Sequence, residues 1–125
     1  MRDHRKLHVW DRARELAKAV YRHTSAFPPE ERLALTAQIR GAAMSVPANI
    51  AEGAGRSTRP DYSRFLSVAG GSLNELESHL TIAGDLGFGD ETENLRLLAE
   101  ISQIRAMLTA LTAKVTPPRS RPTKS

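Results

Sequence analysis

Residues 38–56 read QIRGAAMSVPANIAEGAGR, and they carry the most informative pattern of the chain. Between Leu33 and Gly55 only Arg40 and Glu52 carry a formal charge, while Ala and Gly recur around the whole helical wheel. A helix that is apolar on nearly all sides is closely surrounded by other elements rather than lying on a surface. The stretch therefore predicts the central helix of an all-helical protein.

The polar residues of this helix follow one line beside its apolar seam, at about 100° per residue. Residues three or four apart on a helix can interact, and an antiparallel third helix would bring further polar side chains opposite them. We predict a structural polar network that fixes the helix register or a subunit contact. Its members are Gln38, Asn49, Glu52, Arg56, Ser72 and Glu75. We also expect Glu52→Ala to destabilise the protein more than a surface change, because Arg56 would lose its partner.

Apolar seams that repeat about every 3.5 residues predict four helices, the pattern of a left-handed bundle. The predicted helices cover residues 7–24, from about 29 or 30 to 53–55, 58–86 and 90–116. Short connections make sequential helices antiparallel, so we predict an up-down-up-down antiparallel four-helix bundle. Thr58 and Asp90 are the predicted N-caps, and Gly87 is the predicted stop of the third helix.

The third helix carries two neighbouring lines of residues, which implies two packing surfaces. The first line consists of Tyr62, Leu66, Ala69, Leu73, Leu76, Leu80 and Ala83. The second consists of Val68, Ser72, Glu75, His79, Ile82 and Leu86.

Composition limits the classes of function. The chain of 125 residues is long enough for one domain, with the bundle in residues 1–116, a short basic N-terminal arm, and a disordered basic tail in residues 117–125. It has no cysteine, no apolar run long enough to cross a membrane, and a charged N-terminus unlike a signal peptide. We therefore expect a cytoplasmic protein without a membrane role.

The charge is uneven and gives a formal total of +4 with a pI near 10.0. Residues 1–25 hold seven basic and three acidic side chains, and residues 114–125 hold four basic ones and no acid. Basic ends suggest a polyanionic partner such as RNA; the alternative is a solvated first helix plus a disordered tail. The candidate nucleic-acid-binding residues are Arg5, Lys6, Arg14, Lys18, Arg22 and Arg40.

No catalytic, cofactor or metal site is predicted. Glu52 with Glu75 could form a general acid–base pair, but the sequence offers no nucleophile, oxyanion donor set or metal to accompany it. Buried polar groups are mostly there because they are paired, which favours the structural network. A di-iron site would need two Glu-x-x-His pairs, and none is present. Trp10 and Tyr21 lie on the seam of the first helix and are predicted to be core residues rather than base-stacking ones.

Four phrases of the sequence resemble a known family. They are L-x-V-W at residue 7, AFPPEER at residue 26, A-A-x-S-V-P-A-N-I-A-E-G-x-G-R at residue 42, and FLSVAGGSLNELE at residue 65. Over residues 7–111 the chain resembles the four-helix-bundle proteins encoded in intervening sequences of 23S ribosomal RNA genes, a superfamily that includes the accessory variability determinant of diversity-generating retroelements. The resemblance implies a ring-like homopentamer, and the retroelement relative binds nucleic acid and a reverse transcriptase through a basic surface.

Two functions remain open from the sequence. The first is a non-enzymatic, homo-oligomeric adaptor that binds RNA or a nucleoprotein through basic surfaces. The second is a self-assembling protein–protein interaction module with no nucleic-acid role. Neither involves a membrane or a small-molecule substrate.

Overall fold

The structure, a computed structural model, describes residues 2–116 as four α-helices with two short 3₁₀ turns. The helices are α1 (His8–Thr24), α2 (Leu35–Ala54), α3 (Arg59–Asp85) and α4 (Glu91–Val115), and the turns are His4–Lys6 and Pro29–Glu31. No strand occurs in this part of the chain. Each helix packs against its two neighbours in the cyclic order α1–α2–α3–α4. The predicted all-α four-helix bundle is confirmed, and the predicted disordered tail lies outside the described residues.

The core follows the predicted seams. Its largest fully buried side chains come from all four helices: Val20, Ile39, Val46, Ile50, Tyr62, Leu66, Leu73, Leu76, Leu80, Leu97, Ile101 and Ile104. At the C-terminal end of α2, Gly53 lets α3 approach closely, since a Cβ there would lie 3.0 Å from both Phe65 Cβ and Tyr62 Cδ1. The α2–α3 hairpin is therefore closely packed at that point.

One side of α2 is open, and here the sequence prediction is wrong for the single chain. The exposed residues of the helix are Ala37, Gln38, Gly41, Met44, Ala48 and Glu52. Ala and Gly cost little to expose, so a surface rich in them has the same hydropathy pattern as a buried one. The helix is surrounded on three sides rather than on all of them.

The predicted helix ends are confirmed at three places. The Thr58 hydroxyl accepts a hydrogen bond from the Asp61 N–H at 3.3 Å, and the Asp90 carboxylate accepts one from the Glu93 N–H at 2.8 Å. Gly87 has a φ of 77° and directly follows Leu86, the C-terminal cap of α3. The N–H of Phe88 then bonds the carbonyl of Ala83 at 3.0 Å, which satisfies an otherwise unpaired carbonyl.

The start of α2 differs from the prediction. Pro29–Glu31 forms a separate 3₁₀ turn, and Ala34, with a ψ of −108°, interrupts the helical backbone before Leu35. The Glu31 carboxylate then accepts a hydrogen bond from the Leu35 N–H at 3.3 Å. This bond satisfies one of the backbone N–H groups that have no partner within the first turn of α2.

The basic N-terminal arm is attached to the bundle. The Arg2 N–H bonds the carbonyl of Ala54 at 3.3 Å, and its guanidinium donates to the carbonyl of Arg56 at 3.1 Å. The same guanidinium lies 4.6 Å from the centroid of the Tyr62 ring. These contacts fix the arm against the end of α2.

Candidate nucleic-acid interface

An open groove of about 810 Å³ lies between α1 and α2. Its floor consists of the small and apolar side chains Ala17, Met44, Pro47, Ala48 and Ala51. The α2 members follow the pattern i, i+3, i+4, i+7 and therefore share one face of the helix. Because most of them are alanine or proline, the two helices leave a trough between them rather than filling it with side chains.

The basic residues Arg14, Lys18 and Arg22 form one wall of the groove, and we call them the basic ridge. They are four residues apart along α1, so each rises about 6 Å above the last. No acidic side chain of the described residues lines the groove. The ridge therefore places basic side chains along one side of an apolar trough.

The ridge is partly neutralised by its own helix. Arg14 pairs with Asp11, and the Lys18 ammonium lies 3.1 Å from the Glu15 carboxylate. Glu15 lines the cleft between α1 and α4, on the other side of α1. Arg22 forms no ion pair within residues 2–116. The acids thus hold two of the cations in place without entering the groove.

Aromatic side chains stand at the two ends of the groove. Trp10 is half-buried, with the Arg14 guanidinium 5.4 Å from its ring centroid and the His4 ring edge-on at 4.8 Å. Tyr21 is 42% exposed, so its predicted place in the core is wrong. Helical periodicity does not indicate this exposure, because Tyr21 lies beside the apolar seam of α1 and only the position of α2 decides which side of the seam is covered.

The other predicted nucleic-acid-binding residues lie outside the groove. Arg40 donates to the Thr24 hydroxyl at 2.9 Å and to the Tyr21 carbonyl at 3.2 Å, which ties α2 to the end of α1. Arg5 is hydrogen-bonded to Asp3 at 3.0 Å, and these bonds hold the pKa of Asp3 below its ordinary value. Lys6 is exposed in the same 3₁₀ turn as Arg5.

The six residues of the predicted polar network fall into separate groups. Ser45, which lies on the predicted polar line of α2, shares a hydrogen bond with Ser72 between the two hydroxyls at 2.7 Å. The Asn49 amide donates to the Ser45 carbonyl at 2.8 Å and to its hydroxyl at 2.9 Å. This half-buried group joins α2 to α3 through one hydroxyl–hydroxyl bond.

The second group lies on the surface. Glu52 and Arg56 form an ion pair at 3.0 Å with side chains that are 60% and 42% exposed, and Arg56 lies 4.7 Å from the Phe65 ring centroid. The Glu75 carboxylate lies 3.4 Å from His79 Nε2 without a hydrogen bond between them, and Gln38 makes no side-chain hydrogen bond among the described residues. The described chain therefore carries no single connected network. A subunit contact through these residues stays a prediction.

Within residues 2–116, no three His, Asp or Glu side chains are grouped so that they could hold a metal ion. None of the helices in that range combines the length and the apolar character that a membrane crossing needs.

The family model described as "23S rRNA-intervening sequence protein" matches residues 5–110. No curated protein matches the chain. A similar solved structure, determined by crystallography at 1.70 Å resolution, is a protein of unknown function from the S23 ribosomal protein family of Bacteroides thetaiotaomicron. The two share 20% identity and a TM-score of 0.75, over 83% of this chain and 97% of the other. That likeness supports the fold.

Proposed function

Because this chain belongs to the family of 23S rRNA-intervening sequence proteins, we propose that it is a non-enzymatic, homo-oligomeric adaptor that binds RNA or a nucleoprotein in the cytoplasm. The observation that carries the proposal is the basic ridge beside a groove that no acidic side chain of the described residues enters. The family's description names 23S rRNA, and RNA is the kind of polyanion that a basic ridge attracts.

A single ridge binds weakly. It offers three cations, and neutralising three phosphates of a single strand gives a slope of about −2 for log affinity against log salt. Several copies of the ridge on one assembly would act together, since linked sites bind with a high effective concentration. Oligomerisation is therefore part of the proposed function.

The RNA proposal is tested by titrating a labelled fragment of 23S rRNA at low and at physiological salt. The ridge variant carries Arg14→Gln, Lys18→Gln and Arg22→Gln. The control variant carries Arg64→Gln, Arg96→Gln and Lys114→Gln, three exposed cations of α3 and α4. Both variants lose the same formal charge, and helical content by circular dichroism checks that both fold.

We expect the ridge variant to lose affinity and to show a shallower salt slope, while the control variant binds like the parent. Equal losses in the two variants would mean that net charge alone attracts RNA. Absence of binding at low salt would remove RNA from the proposal.

A specific observation supports self-assembly, the second candidate function. The second line of α3 is not covered by the chain itself: Val68 is 46% exposed, Ile82 47% and Leu86 57%. Exposed apolar residues that share one helix face are typical of a protein–protein contact. The family resemblance implies a pentamer.

Light scattering tests this assembly. We expect the parent to have a mass of five times the 13.7 kDa chain. A variant with Val68→Glu and Ile82→Glu should dissociate, whereas a variant with Leu33→Glu and Leu95→Glu should not, although those leucines are 86% and 60% exposed. A parent with the mass of one chain at every concentration would contradict both functions. An intact oligomer that purifies without nucleic acid and binds no RNA would favour the second function.

A further inference from the structure

The Tyr21 ring lines one end of the α1–α2 groove and is held in place by Arg40. The Arg40 guanidinium lies 4.6 Å from its ring centroid, and Arg40 is itself fixed by hydrogen bonds to the Thr24 hydroxyl and the Tyr21 carbonyl. Arg40 does not line the groove, whereas Tyr21 does. Arg40 thus packs on the ring while Tyr21 stays 42% exposed, so a ligand that stacks on this ring would cost little side-chain entropy.

The basic ridge and the floor of the groove run side by side. Phosphates spaced along an extended strand could follow the ridge, whose cations are about 6 Å apart along α1. The floor beside it is apolar, and Met44 is 50% exposed there. A polyanion with exposed apolar faces would cover both surfaces at once.

Single-stranded and duplex RNA differ in what they can offer this surface. A duplex keeps its bases stacked inside and would touch the ridge through phosphates only, leaving the floor in water. A single strand can place phosphates on cations and lay bases on aromatic and apolar side chains. Only the single strand matches the ridge and the floor together.

We propose that the α1–α2 groove binds single-stranded RNA, with phosphates along the basic ridge and a base stacked on Tyr21. This inference rests on the proposed RNA-binding function. The floor residues Ala17, Pro47, Ala48 and Ala51 have no side-chain donor or acceptor, so they cannot read base edges. Binding should therefore tolerate different sequences.

Trp10 provides a reporter, because it is the only tryptophan of the chain and lines the other end of the groove. RNA on the ridge would draw Arg14 away from the Trp10 ring and change its fluorescence. The full chain is titrated with oligouridylate and, separately, with a blunt RNA duplex of equal length. We expect the single strand to bind more tightly than the duplex, and the Trp10 fluorescence to change until the protein is saturated with oligouridylate.

Tyr21→Leu should lower the affinity for oligouridylate about tenfold while leaving duplex affinity and the salt slope unchanged. Tyr21→Phe should keep the parent affinity, since the ring remains.

The matched control is Phe65→Leu. Phe65 also has guanidinium groups at 4.7 Å and 4.5 Å from its ring centroid, but it lies outside the groove. The Phe65→Leu variant should bind oligouridylate with the affinity of the parent. Thermal melting checks that each variant folds.

Failure of this inference is distinguishable from failure of the proposed function. Equal affinity for single strand and duplex, with no effect of Tyr21→Leu, would overturn the groove site and leave RNA binding intact. Lack of binding of either RNA at low salt would overturn both. An acidic helical peptide that changes Trp10 fluorescence where RNA does not would assign the groove to a protein partner and also overturn the inference.

Discussion

Two glycines of α2 differ in the space around them. A Cβ on Gly53 would meet the Tyr62 ring and Phe65 Cβ at 3.0 Å, and Tyr62 is only 1% exposed, so it cannot move aside. A Cβ on Gly41 would meet nothing within 4 Å. We expect Gly53→Ala to destabilise the protein by about 1–3 kcal/mol, since the extra methyl overpacks the α2–α3 contact.

Gly41→Ala is the matched control, in the same helix and with the same chemical change. It should stabilise the protein by about 0.5–1 kcal/mol, because alanine has less backbone freedom to lose on folding. Urea denaturation at a fixed protein concentration measures both changes. Gly53→Ala with the stability of the parent would show that α2 and α3 are not in close contact at that point.

Solvent exposure also determines how much the Glu52–Arg56 pair contributes to the free energy of unfolding. The sequence led to the expectation that Glu52→Ala costs more than a surface change, but Glu52 is 60% exposed. Water screens such a pair, so we now expect a loss of no more than about 0.5 kcal/mol. Ser72→Ala should cost about 1 kcal/mol, because Ser72 is 8% exposed and its hydroxyl pairs with Ser45. Thermal melts of the two variants compare them, and the reverse order would contradict this assignment.

At the scale of a helix, the N-terminus of α4 depends on one side chain. The Asp90 carboxylate accepts a hydrogen bond from the Glu93 N–H at 2.8 Å, and Asp90 is the N-cap of the helix. We expect Asp90→Ala to cost about 1 kcal/mol of unfolding free energy. Asp85→Ala removes an acid at the C-terminal end of α3, where negative charge is unfavourable, and should be neutral or slightly stabilising. Equal losses in the two variants would point to net charge rather than capping.

The pH dependence of α4 follows from Glu93. Hydrogen bonds from Arg96, at 2.8 Å and 2.6 Å, hold the pKa of Glu93 below its ordinary value. A carboxyl with a lowered folded pKa stabilises the protein above its unfolded pKa and loses that contribution as pH falls through the folded pKa. We therefore expect Glu93→Gln to cost less than about 1 kcal/mol at neutral pH and to match the parent in acid. Melts across that pH range test it, and a constant difference would contradict it.

The ends of the helices could be predicted best from the sequence, because capping residues act on backbone groups close to them in the chain. Thr58, Gly87 and Asp90 act through backbone groups only a few residues away. The start of α2 was predicted too early, since proline followed by glutamates suits a 3₁₀ turn as well as a first α-helical turn. The interruption at Ala34 has no signal of its own, because alanine is a good helix former.

At the scale of the whole molecule, the fold was predictable and the groove was not. The apolar seams determine which helix faces are buried. Four helices with such seams and short connections favour an up-down-up-down antiparallel bundle. The groove depends on which side of the α1 seam is covered by α2. Tyr21 and Met44 belong to apolar patterns that suit the core, yet they are 42% and 50% exposed. Sequence periodicity cannot separate a core face from a face that is left for a partner.

The contact between α1 and α4 closes the bundle, and one ion pair spans it. The Arg12 guanidinium binds the Glu100 carboxylate through two hydrogen bonds, at 2.7 Å and 2.9 Å, and this pairing raises the pKa of Arg12. Their side chains are 41% and 24% exposed, so water screens the pair only in part.

A double-mutant cycle with Arg12→Ala and Glu100→Ala isolates that interaction. We expect a coupling free energy of about 1 kcal/mol, because the bonds are paired in fixed geometry and join helices distant in sequence. The Asp11–Arg14 pair within α1 is the control: both side chains are about half exposed, at 52% and 49%, and its coupling should be about 0.3 kcal/mol. Couplings of equal size would mean that apolar packing alone closes the bundle. A larger value for Arg12 and Glu100 would make this pair the polar contact that fixes α4 against α1.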